Sequence, residues 1–231
     1  MDRREEDHVR LTRGMKVLLI DIDLRGKTVL IIGGGRVGER KAAKFSAAGA
    51  NVVVASRDFT ERFKKLSSDN KLQRVFVDLE VAPEQVGTLI SKADFVVAAT
   101  DQPGLNRRIA EEAKKYRTHV SVVDDPHLGD FSMPVLSKVG EFHIAIFTGG
   151  KSPAMSRVIR RRIEGIISEE DILMVRLQSY ARKLAKTQIP NQLSRKRVLR
   201  TIMEDRRIRQ LLKKGDFQEA KDLTKGIIQG S

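Results

Sequence analysis

Five residues rich in β-branched side chains, Thr28-Val29-Leu30-Ile31-Ile32, run directly into Gly33-Gly34-Gly35-Arg36-Val37-Gly38. This junction restricts the possible folds more than any other feature of the chain. An uninterrupted apolar run of this kind suits a strand covered on both faces, as in parallel sheets flanked by helices. The glycines follow the spacing G-x-G-x-x-G. In such a loop Gly33 makes the tight turn out of the strand. Gly35 lets a pyrophosphate reach the backbone with no Cβ in the way, and Gly38 lets the next helix pack closely on the sheet. That helix, expected over about residues 37–48, directs free N–H groups and the positive end of its dipole at the anion. A bland structural turn is the alternative, but the context of buried strand before and amphipathic helix after favours dinucleotide binding.

The same alternation continues. Strands are expected at 51–55, 73–77, 94–99 and 119–123, with helices at 59–67, 83–91 and 106–116 between them. This order implies right-handed crossovers and an α/β fold with a Rossmann-type parallel sheet. Residues 134–138 and 141–148 read as two further strands joined by Val139-Gly140, a hairpin expected to close the sheet edge. Beyond Gly149-Gly150 only helical periodicity remains, over about 153–167, 169–187, 194–213 and 216–228. Ser152-Pro153 has the pattern of an N-cap followed by proline at the first helical position. Ser168 precedes three acidic residues at the favourable end of a helix dipole. The expected organisation is a flexible tail at 1–15, a dinucleotide-binding domain with its closing hairpin at 16–150, and an all-helical region at 151–231. Met15 stands as an alternative start.

Charge separates these regions. Residues 1–150 carry 24 Lys and Arg against 21 Asp and Glu, whereas residues 151–231 carry 20 against 9. The excess behind the net charge of +14 therefore belongs to the helical third, a surface that attracts polyanions. No stretch reaches the roughly 18–20 apolar residues of a membrane span. The N-terminus lacks a signal peptide's apolar core, so a cytoplasmic protein is expected. Cysteine is absent, which excludes disulfides, thiolate ligands and a cysteine nucleophile. The histidines, His8, His119, His127 and His143, show no metal-ligand spacing, and no resident metal is expected.

Three further places attract attention. Where the second strand ends, Asp58 stands slightly late for holding ribose hydroxyls, and Arg57 stands where a 2′-phosphate would bind. NAD is the favoured cofactor, with NADP open. Thr100, at the end of the fourth strand, either lines the cofactor cleft or caps the next helix. Asp124 and Asp125 stand where the fifth strand runs out, on the same ligand-binding edge. Asp125 serves equally well as a turn cap. Asp124 is the better candidate for chemistry, because a carboxylate beside a nicotinamide can take a proton while the cofactor takes a hydride.

The blocks Gly33-Gly34-Gly35-Arg36-Val37-Gly38-Glu39-Arg40-Lys41, Ala98-Ala99-Thr100-Asp101, Val122-Val123-Asp124-Asp125-Pro126, Phe131-Ser132-Met133-Pro134 and Thr148-Gly149-Gly150-Lys151-Ser152-Pro153 resemble, in order and spacing, the precorrin-2 dehydrogenases. That family includes the N-terminal module of siroheme synthases. The resemblance spans about residues 16–231. It implies NAD-dependent oxidation of precorrin-2 to sirohydrochlorin in siroheme synthesis, with the family's essential aspartate at Asp124. It implies cofactor contacts at Arg36-Val37 and Arg57-Asp58. It also implies a homodimer whose helical region serves dimerisation and tetrapyrrole binding. Some members insert iron as well, so ferrochelatase activity is an open second function, with Asp124 as the base for pyrrole protons and His127 as a conceivable assistant. Thr148 stands where some siroheme synthases carry a phosphorylatable serine. No methyltransferase domain is present in the sequence, so precorrin-2 is expected from another enzyme.

Precorrin-2 is an octacarboxylate tetrapyrrole, which suits the basic C-terminal third. Ser152, Arg157 and Arg160 follow the paired glycines and are candidate substrate contacts. A solvated basic face is the alternative for any one of them, and helical spacing prevents Arg160, Arg161 and Arg162 from meeting one ligand together. A more remote reading, an NAD(H)-sensing protein that binds nucleic acid through its basic helices, is disfavoured because basic residues lie on several faces and aromatics are few.

Overall fold

The structure, a computed structural model, describes residues 18–66, 72–79, 81–82 and 84–230. The tail expected at 1–15 lies outside them. The chain divides after Met133 into two compact units.

The first unit is a five-stranded parallel sheet in the order β3-β2-β1-β4-β5. Its strands are β1 (Thr28–Ile32), β2 (Asn51–Ser56), β3 (Leu72–Phe76), β4 (Phe95–Ala98) and β5 (His119–Val122). Four helices connect them: α1 (Arg36–Ala47), α2 (Glu61–Leu66), α3 (Glu84–Ile90) and α4 (Pro103–Lys115). The strand order reverses between β1 and β4, so their carboxyl ends open into the crevice where ligands bind in such sheets. The apolar runs are explained by double coverage: Val29, Leu30, Ile31 and Ile32 are all buried. Alternate residues feed two cores, Leu30 and Ile32 on one face and Val29 and Ile31 on the other.

The chain after β5 folds back along that edge strand. Asp130 accepts the Val120 N–H through Oδ1 at 2.8 Å. The backbone N–H groups of Asp130 and Phe131 donate to the Val120 carbonyl. A short 3₁₀ turn, Pro126–Leu128, lies within this return, and Asp125 caps it by accepting the His127 N–H at 3.1 Å. Of the two readings open for Asp125, the cap is therefore the one observed.

The second unit comprises a hairpin, β6 (Val135–Val139) and β7 (Phe142–Ile146), followed by α5 (Pro153–Ile166), α6 (Glu169–Gln188), α7 (Gln192–Glu204), α8 (Arg206–Lys214) and α9 (Phe217–Gln229). Three expectations need correction. The hairpin does not close the parallel sheet; it forms a separate two-stranded sheet, and the division falls at 133/134 instead of 150. Part of the reason is local: Ser137 on β6 hydrogen-bonds Glu164 on α5, tying the hairpin to the helix that follows it. The single helix expected over 194–213 is two helices, broken at Asp205. This residue ends α7 in extended backbone and starts α8 by accepting the N–H groups of Arg207 and Ile208. Apolar periodicity continues through the break because Ile202, Ile208 and Leu212 pack into one core with Leu177, Ala181 and Ile228. Ser168 forms the expected start of α6 as a full capping box with Asp171.

Candidate functional site

Backbone sterics build the site first. Gly33 has φ +123°, and a Cβ there would collide with the carbonyl of Ala99, the residue that follows β4. A Cβ on Gly38 would strike the carbonyl oxygen of Gly33, so the third motif glycine allows α1 to approach its own loop. A Cβ on Gly35 would meet nothing within 4 Å, as expected where a ligand must reach the backbone. Gly34, a free position in the motif, is restricted too: its Cβ would collide with the carbonyl oxygen of Asp58. No sequence rule exposes that constraint, which depends on how the β2–α2 connection crosses the loop. The Thr60 N–H donates to the Gly34 carbonyl at 3.1 Å and fixes the crossing.

Gly35 is the N-cap of α1 and offers no side chain to its first amides. Those N–H groups, beside Arg36 and Val37, border a cleft of about 580 Å³ that also includes Gly33, Arg57, Asp58 and Thr100. An uncapped helix start, an open Cβ position and a cleft of ligand size together fit a dinucleotide pyrophosphate. Gly38 lies buried beneath the loop. Arg57 is held between two carboxylates, its Nε 3.0 Å from Asp58 and its Nη1 3.7 Å from Asp78. The Asp58 side chain is 84% exposed. Asp78 also lines the cleft and was not singled out in the sequence.

Thr100 lines the cleft and is not the N-cap of α4; Gln102 is, because Pro103 takes the first helical position and starts the helix a turn before 106. That early start draws Asn106 inward, where it is fully buried. Its Oδ1 lies 2.7 Å from the Thr100 hydroxyl, and its Nδ2 donates to Asp124 Oδ1 at 2.8 Å. Asp124 follows Val123, which lines the cleft, and is itself exposed. The structure thus gathers the glycine loop, Arg57-Asp58, Thr100 and Asp124 at one edge of one sheet. Asn106, which links the last two, escaped sequence reading. Its only signal there is a polar residue on a helix's apolar stripe with Ile109, Ala110 and Ala113.

The remaining candidates belong to the second unit. The Ser152 Oγ accepts the Met155 N–H at 3.2 Å and so serves as the cap of α5. Arg157 is exposed, whereas the Arg160 Nε turns toward Glu164 at 3.5 Å. Among the described residues no group of three or more His, Asp or Glu is arranged to hold a metal. No described helix is long and apolar enough to cross a membrane.

Several known proteins resemble this chain. A family model described as NAD(P)-binding matches residues 20–135. Precorrin-2 dehydrogenase of Methanosarcina barkeri is 35% identical over 195 residues, 84% of this chain and 86% of that protein. Siroheme synthase 2 of Klebsiella pneumoniae is 30% identical over 214 residues, 93% of this chain but 46% of the longer protein. Among solved structures, SirC, a precorrin-2 dehydrogenase, has the same fold with a TM-score of 0.69 at 20% identity, covering 89% of this chain and 99% of that one. With relatives this similar over most of its length, and a match to an NAD(P)-binding family model over its parallel sheet, the chain belongs to the precorrin-2 dehydrogenase family.

Proposed function

We propose that this chain dehydrogenates precorrin-2 to sirohydrochlorin, with NAD as cofactor and Asp124 as general base. The observation that carries this reading is the convergence of the glycine loop, Thr100 and Asp124 on one sheet edge. The nicotinamide, when bound, supplies the hydride acceptor. The chain's own residues do the rest. The α1 amides at Arg36 and Val37 hold the pyrophosphate, with Gly33, Gly35 and Gly38 shaping its cradle. The Asp124 carboxylate takes the proton released as the substrate loses its hydride, so that two electrons and two hydrogens leave together.

The preference for NAD rests on Arg57. Its guanidinium already faces Asp58 and Asp78, so a 2′-phosphate would have to displace one carboxylate and lie against the other. Ribose hydroxyls, as donors, suit the same carboxylates. Arg157 and the basic surface of the helical unit steer the octacarboxylate substrate, Arg160 contributes once released from Glu164, and the α5 cap holds Ser152 in place. The family resemblance implies a homodimer, and we propose that as the working form.

An anaerobic assay of precorrin-2 with NAD or NADP tests the reading. The expected result is sirohydrochlorin formation faster with NAD. Asp124→Ala should lower the rate by roughly 10²–10⁴-fold with NAD affinity retained, the range expected for loss of a general base. A wild-type rate in that variant would overturn the assignment of the base, and equal use of NADP would overturn the reading of Arg57.

A further inference from the structure

Asn106 is a polar residue with no exposed surface, and an amide buried without partners costs about 1–3 kcal/mol per unmet group. Here every valence is used. Oδ1 faces the Thr100 N–H at 3.1 Å and the Thr100 hydroxyl at 2.7 Å. Nδ2 donates to the Thr100 carbonyl at 3.2 Å and to Asp124 Oδ1 at 2.8 Å. Two lone pairs and two N–H hydrogens are the full complement of an amide.

Its orientation is therefore forced. The Thr100 backbone N–H can only donate, so the atom opposite must be the amide oxygen. A flipped amide would set N–H against N–H and its oxygen against a carboxylate. With Oδ1 committed to Thr100, one Nδ2 hydrogen must point at Asp124. Among the described residues Asp124 makes no other side-chain hydrogen bond. One of its oxygens is thus fixed by a buried, immobile donor, and Oδ2 is left to act.

We propose that Asn106 is the positioning residue of the dehydrogenation, holding Asp124 so that Oδ2 receives the substrate proton. This rests on the reading of Asp124 as general base. Asn106 touches neither reacting atom; it acts by fixing a carboxylate that exposure would otherwise leave to rotate, in the same network that fixes Thr100 in the cleft. Misplacing a catalytic group by an ångström can cost about a hundredfold in rate.

The test is a cycle of Asn106→Ala, Asp124→Ala and the double variant, read by anaerobic single-turnover kinetics with the uncatalysed rate subtracted. Expected for Asn106→Ala is a fall in kcat of roughly 10–100-fold, with KM and NAD affinity within about threefold of wild type. In the Asp124→Ala background the same change should have no further effect, because the group it positions is gone. Equal losses in both backgrounds, or a loss of NAD affinity matching the loss of rate, would overturn the proposal and leave Asn106 a packing residue.

Asn106→Asp supplies a second readout. It keeps acceptors toward Thr100 but sets a carboxylate oxygen where the donor to Asp124 stood, so the pair needs a shared proton. Its kcat relative to wild type should rise as pH falls, with NAD affinity unchanged; a ratio constant with pH would count against the proposal. The two readings fail separately. Wild-type activity in Asp124→Ala removes the base, whereas an inactive Asp124→Ala beside a fully active Asn106→Ala removes only the positioning role.

Discussion

The two units are specified in opposite ways. In the first, a few backbone collisions decide the outcome: Gly33 against Ala99, Gly34 against Asp58 and Gly38 against Gly33 leave no room for a methyl group at any of the three. In the second, the determinants are spread over a helical core that includes Leu177, Ile202, Ile208 and Leu212, and over caps at Ser152, Ser168, Asn191 and Asp205. Each contributes a share of the stability, and the steric exception is Gly140 in the hairpin, where a Cβ would lie 2.7 Å from the Ile172 side chain. The match to an NAD(P)-binding family model falls on the first unit, and most of the net positive charge falls on the second.

Gly38→Ala should break this contrast most visibly if it is wrong. A methyl group there drives α1 off its loop, and the expected outcome is loss of saturable NAD binding together with destabilisation of about 3 kcal/mol or more, beyond ordinary overpacking. Cofactor titration and thermal melting of the same sample check both parts. Leu177→Ala tests the other side. Removing this fully buried side chain should cost about 2–5 kcal/mol in denaturant unfolding, while the folded fraction still binds NAD with unchanged affinity. Loss of cofactor affinity in that variant would show that the two units are not independently specified.

Asp205→Ala gives the smallest effect, about 1 kcal/mol, the usual contribution of an N-cap. Its pH dependence sharpens the attribution. The hydrogen bond from the Arg207 guanidinium, aided by the N–H groups of Arg207 and Ile208, holds the Asp205 carboxyl below its ordinary 3.8. A carboxyl depressed in the folded state stabilises fully above its unfolded value and loses that stabilisation as pH falls through the folded value. The advantage of wild type over Asp205→Ala should therefore be constant near neutrality and shrink below pH 3.8, as denaturant midpoints measured across that range would show.

The sequence was informative where one local rule fixed one outcome. The β-branched run before Gly33, the carboxylate after β5 and the Ser168 cap all stand where their patterns put them. It was silent where the outcome depends on what crosses a residue from elsewhere in the chain. Gly34 is constrained by a connection more than 20 positions away, and Asn106 was hidden because helix α4 begins at Pro103, earlier than its apolar stripe suggests. It misled where periodicity outlasts backbone continuity: Ile202 and Ile208 share a core, so the apolar rhythm runs straight through the break at Asp205. The hairpin read as a sheet edge because strand patterns do not say which partner a strand will choose.

The return of the chain along β5 has a consequence for how this protein fails. An edge strand is a template on which any other extended chain can add itself. At Val120 that template is taken, since its outward N–H and carbonyl are both bonded to Asp130 and its neighbour. The segment that covers the edge is also the one that carries Asp124. Peeling it away to admit a second molecule would expose the strand and disturb the segment that carries Asp124, the proposed general base. Under the role proposed for Asp124, molecules recruited into aggregates through this edge are expected to lose activity on capture.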